Sequence, residues 1–200
     1  MSGPFTDLIF PHRWRARILP ARPLILPPRH FVYPLEAEEV ERGAMEVMVR
    51  VKDDGLTPDA NTPEFLATCA LGFNDPIVPT GIWSCPNPHE LCAVSGGYAY
   101  LIDTREPERF TMLPYRPVLD VRPVGEMNLL LFVGHHAILA WGAEGLAWES
   151  DKLSSEGITI ATIVGATLRG RGWNMLTDME TDFALDLTTG KRISNLGVSN

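Results

Sequence analysis

The sequence predicts a mainly β protein: antiparallel sheets, open or in two layers, built from hairpin repeats, with one or two short helices and an extended proline-rich N-terminal arm. Three observations carry this prediction. From Pro86 onward, short apolar and β-branched runs alternate with turn residues, as in LLLFV (129–133) and GITIATIVGATL (157–168). Seven of the seventeen prolines lie in residues 1–34, where each fixes φ and removes a backbone donor. Only two short segments, near residues 35–43 and 63–71, have helix-forming composition.

Taken in order, residues 1–34 are the arm. RILPARPLILPPRHFVYP is expected to be extended and partly polyproline, with little regular structure. Its apolar Ile18, Leu19, Leu24, Ile25 and Leu26 are too many for a solvated tail, so it should pack on folded protein. LEAEEVERG (35–43) reads as a short helix closed by Gly43. AMEVMVRV (44–51) alternates, with Met45, Val47, Val49 and Val51 on one face, and is a strand. TPEFLATCALG supports two readings. Thr62, Pro63 and Gly72 are placed to start and stop a helix, while Phe65, Ala67, Cys69 and Leu71 alternate as in a buried strand.

The remainder reads as hairpins. YLIDTREPERF, ILAWGAEGLAW and FALDLTTGKRI each read strand–turn–strand, with turns at Thr104–Pro107, Gly142–Gly145 and Thr188–Gly190. Aligning them places Leu101, Leu139 and Leu185 in register. That texture and spacing, with CPNPHELCAVSGGYAYLIDT its clearest stretch, resembles the blades of β-propellers, which recur every 40–50 residues or so. The likeness covers blade-like units over about residues 86–192. It lacks the Gly-His and Trp-Asp signatures of the WD type, so it implies fold alone. The chain as a whole also resembles a bacterial family to which no activity attaches. The expected organisation is the arm, 1–34, and a single β-rich domain, 35–200.

Charge excludes some partners. Residues 1–34 hold five arginines against Asp7, a net of +4, so the remainder carries −12 for the chain to total −8. An acidic body repels phosphate backbones, so no nucleic-acid partner is expected. No apolar run is long enough to span a bilayer and the N-terminus has no secretory pattern, so no membrane partner is expected and the reading is cytoplasmic. Three cysteines make no disulfide framework.

The candidate sites are few. Cys85, His89 and Cys92, with Cys69 upstream, are the best metal-ligand set, and a metal-dependent enzyme built on them is the weakest functional alternative. The Cys85–Cys92 gap is wider than structural zinc sites use, and Pro86 and Pro88 stiffen it. A structural turn is the better reading, with no metal and no cofactor. Trp141 and Trp148 flank one hairpin and, with the His135–His136 turn, could line a small-molecule or carbohydrate site. Asp178, Glu180 and Asp182 alternate as a solvated carboxylate face. No P-loop, dinucleotide, nucleophile-elbow or zincin motif occurs. No catalytic residue set emerges. The expected function is a non-catalytic protein-interaction or self-associating β module, binding a protein partner or its own copy.

Overall fold

The computed structural model describes residues 4–34, 42–52 and 64–194. The chain divides into two compact units, Met1–Pro117 and Val118–Asn200. Among the described residues, all regular structure in both is strand, apart from one 3-10 turn at Gly125–Met127. No helix among the described residues is long and apolar enough to cross a membrane.

Among the described residues, the first unit holds nine strands: β1 (Phe5–Asp7), β2 (Trp14–Ile18), β3 (His30–Tyr33), β4 (Ala44–Val51), β5 (Glu64–Ala70), β6 (Gly81–Ser84), β7 (Glu90–Ser95), β8 (Tyr98–Asp103) and β9 (Phe110–Met112). They form two sheets, ordered β2-β4-β5-β3 and β1-β6-β7-β8-β9. Strands β6 to β9 are an antiparallel meander, and β1 joins β6 in parallel. The alternation that predicted β4 operates throughout. Trp14, Tyr33, Met45, Val47, Val49, Phe65, Ala67 and Cys69 from one sheet share a core with Ile82, Leu91, Ala93, Tyr98, Tyr100 and Ile102 from the other. Each large apolar side chain withdrawn from water there contributes roughly 1.5–3 kcal/mol before ordering costs. Hydrogen bonds also tie the sheets together, among them Trp14 Nε1–H to the Glu90 carbonyl (3.1 Å) and Tyr100 O–H to the Ala70 carbonyl (3.0 Å).

The second unit holds β10 (Asp120–Val124), β11 (Leu129–Val133), β12 (Ile138–Gly142), β13 (Gly145–Glu149), β14 (Ile158–Val164), β15 (Thr167–Asn174) and β16 (Met179–Asp186). Strands β10 to β13 are an antiparallel meander and β14 to β16 a three-stranded one. Beyond β16 the chain turns back, with a single antiparallel bridge from Arg192 to Leu185. The core comprises Leu129, Leu131, Val133, Ile138, Ala140 and Trp148 with Leu168, Phe183, Leu185 and Leu187. The three expected turns fall between antiparallel segments, and Leu101, Leu139 and Leu185 are all buried.

Three expectations need correction, and one open reading is decided. The segment left open between helix and strand is a strand over Glu64–Ala70. Both faces of β5 are buried, so its apolar run carries no decisive period. The helix expected at 35–43 falls mostly on residues 35–41, outside the described residues. The proline-rich segment carries regular strands. Prolines are absent between Pro11 and Pro20, and between Pro28 and Pro34, and there WRARI and HFVY pair as sheet edges. Leu24, Ile25 and Leu26, expected to pack, are exposed. Finally, the leucine register slips by one at Leu185. Leu101 sits opposite Cys92 and Leu139 opposite Phe132, on faces turned away from the two cores, whereas Leu185 sits opposite Leu168 within its core. The true equivalent of Leu185 is Ile102. Each precedes an aspartate whose carboxylate accepts the N–H two residues on: Arg105 to Asp103 and Thr188 to Asp186, both 2.9 Å.

Candidate functional site

Cys69, Cys85 and Cys92 are all free thiols and all buried. Cys69 faces the core of the first unit, while Cys92, between the core residues Leu91 and Ala93, points to the opposite face of its sheet. Burial pushes all three thiols well above their ordinary range. Each is therefore a protonated, inert side chain at neutral pH. Asn87 Oδ1 accepts the His89 N–H (3.0 Å), and the His89 carbonyl accepts Thr104 Oγ1–H (2.7 Å) and Thr104 N–H (2.8 Å), which closes the turn. Among the described residues, no three His, Cys, Asp or Glu side chains are placed to share an ion.

The tryptophan pair does not form one platform. Trp148 lies in the core of the second unit, pairs with Ala140 and donates its Nε1–H to the Leu187 carbonyl (2.7 Å). Trp141 is the next residue along β12 and faces the other way. Both are largely buried. His135 and His136 occupy the β11–β12 turn with ring centroids 6.2 Å apart, and His136 Nδ1 lies 3.2 Å from the Ser154 carbonyl. Asp178 sits at φ 54° in the turn before β16, while Glu180, paired with Arg171 at 2.8 Å, and Asp182 share an exposed face of that strand.

The most polar arrangement is on the outer face of the β2-β4-β5-β3 sheet. Glu46 and Thr68 are cross-strand partners and both buried. Thr68 Oγ1–H donates to Glu46 Oε2 (2.6 Å), and His30 Nε2 lies 2.9 Å from Thr68 Oγ1. The hydroxyl has one proton, and a carboxylate at that distance is its strongest acceptor. His30 must then donate, which fixes the proton on Nε2. Desolvation, with Arg22 nearby, lowers the His30 pKa against the opposing pull of Glu46. A catalytic relay needs the reverse polarity, with histidine accepting the hydroxyl proton, and Thr68 is fully buried. The array locks three strands together.

Beside it, Arg15 and Arg17 of β2 project with Met48 and Arg50 of β4 and Glu64 of β5. Arg15 and Arg50 are directly opposite. Arg50 donates to Glu64 Oε2 through Nε (3.1 Å) and Nη2 (2.6 Å). These residues line a shallow cleft of about 190 Å³. In the sequence Arg15 and Arg17 stand out by their charge, and the alternation Trp14-Arg15-Ala16-Arg17-Ile18 is the signal that places them on one strand face. The chain matches no protein-family model, and no curated protein is similar to it.

Proposed function

We propose that this chain is a non-catalytic β module that works by pairing with another protein strand, in the first place that of a second copy of itself. The observation that carries this is strand β14. It is the edge of its sheet, seven residues long, ITIATIV, with no charge and no proline. Thr159, Ala161, Thr162 and Val164 are exposed along it. A bulge interrupts its register between Ile160 and Thr162, but nothing charged guards the edge, and such strands pair readily. Two copies meeting edge to edge about a twofold axis satisfy both edges, so the assembly closes instead of propagating. An uncharged contact segment also adds no repulsion between chains that each carry −8.

The inert thiols and the locked Glu46–Thr68–His30 array support a non-catalytic reading. The successive meanders β6–β9 and β10–β13, followed by β14–β16 with Arg192 starting a fourth position, support reading the units as blade-like. A small-molecule or carbohydrate site at Trp141, Trp148, His135 and His136 has less support, because the two indoles lie on opposite faces. Size-exclusion chromatography with light scattering tests the proposal. It predicts a species of twice the 22.1 kDa chain mass, reduced to monomer by Thr162→Lys and unaffected by Thr181→Lys on β16. A monomer at every concentration rejects self-pairing.

A further inference from the structure

We propose a second interface of different chemistry: the free edge of β2 accepts an extended acidic peptide as an added strand. The ladder shows which backbone groups are open. Lys52 N–H donates to the Arg13 carbonyl and Leu19 N–H to the Glu46 carbonyl, both at 2.8 Å. In an antiparallel pair every second residue turns its N–H and C=O to the partner, so Arg13, Arg15, Arg17 and Leu19 face β4. Trp14, Ala16 and Ile18 turn theirs outward. β2 is the edge of its sheet, and among the described residues no backbone group pairs with those three on that side. Ala16 therefore borders the cleft through its open peptide groups, between two exposed arginines.

The flanking side chains specify the partner. Arg15 stands opposite Arg50, a like-charge cross-strand pair that disfavours the sheet by itself. Glu64 offsets Arg50. Among the described residues, Arg15 and Arg17 have no carboxylate of their own. Two unpaired guanidinium groups two residues apart on a strand match carboxylates at the same spacing on an added strand, because the side-chain period of both is two. On the opposite face, Ala16 and Ile18 are only partly buried against the core. An aliphatic residue between the two carboxylates would extend that core. The occupant is thus an extended segment alternating acidic and aliphatic residues, held by main-chain hydrogen bonds and selected by its charges.

Fluorescence anisotropy with labelled synthetic peptides on the full chain tests this. The probes are Val-Glu-Val-Glu-Val-Glu-Val, its lysine counterpart, and Val-Glu-Pro-Glu-Val-Glu-Val, in which proline replaces the third residue and all three glutamates are kept. The glutamate peptide is expected to bind, more weakly as salt rises, and to lose affinity about tenfold or more with Arg15→Glu/Arg17→Glu. Both arginines are exposed, so this variant should keep the wild-type circular dichroism spectrum. Loss of binding by the proline peptide separates strand addition from simple ion pairing. Binding should be unchanged in Thr162→Lys, so this edge and the β14 edge stand or fall separately. Absence of glutamate-peptide binding, equal binding of the lysine peptide, or undiminished binding of the proline peptide would each overturn the proposal.

Discussion

Trp14→Ala tests most sharply whether the N-terminal segment belongs to the fold. Trp14 is fully buried in the core of the first unit, and its Nε1–H reaches the Glu90 carbonyl at 3.1 Å in the facing sheet. Truncating a buried tryptophan costs about 3–5 kcal/mol through lost transfer energy and the cavity left behind. That range includes the lost hydrogen bond, worth about 1 kcal/mol net. At roughly 4 °C per kcal/mol for a unit of this size, the melting temperature should fall by about 12–20 °C. Trp14→Phe keeps most of the volume and loses the hydrogen bond, so it should sit well between the two. Thermal and urea melts followed by far-UV circular dichroism give the comparison. Were the segment a loosely attached arm, the cost would stay within about 0.5 kcal/mol, as for ordinary surface changes. A Trp14→Ala melt superimposable on wild type would refute the sheet assignment of β2 and, with it, the peptide-accepting edge.

Three further outcomes are expected. Gly190 has φ +70°, and a Cβ there would lie 2.5 Å from Trp148 Cε3, whereas Gly165 has φ +54° with nothing within 4 Å. Gly165→Ala should cost about 1–2 kcal/mol of backbone strain, and Gly190→Ala clearly more, with the difference in urea midpoints reporting the Trp148 clash. Because the His30 pKa is lowered in the fold, the unfolded chain binds the extra proton first. Its contribution is present above pH 6.5 and declines as pH falls below it, so His30→Gln should flatten the slope of stability against pH there. The three buried cysteines should not react with a thiol reagent in native protein at neutral pH, and all should react in urea.

The hairpins were legible because each has polar or glycine turns between apolar strands, and the chemistry of a turn is local. Asp103 and Asp186 mark equivalent turns through their own side chains. Aligning on those aspartates instead of on leucines gives the true register, since a slip of one residue exchanges the two faces of a strand. β5 was ambiguous for a physical reason: Phe65, Ala67 and Cys69 are buried on one face and Leu66, Thr68 and Ala70 on the other, which removes the alternation that identifies a half-buried strand. The N-terminal strands were hidden by the prolines around them, although WRARI itself alternates cleanly. Of the candidate surfaces, the uncharged β14 run was visible as a strand. Its place at a sheet edge depends on long-range pairing, and so does the meeting of Arg15 and Arg17 with Arg50, which no local pattern encodes.

The central claim, that an open β14 edge pairs with a second copy, is tested most directly by hydrogen–deuterium exchange at several protein concentrations. Peptides covering Ile158–Val164 should exchange more slowly as concentration rises, while those covering the internal strand β15 stay unchanged. In Thr162→Lys the concentration dependence should vanish. Exchange across Ile158–Val164 that is the same at every concentration in the wild-type chain would contradict the account.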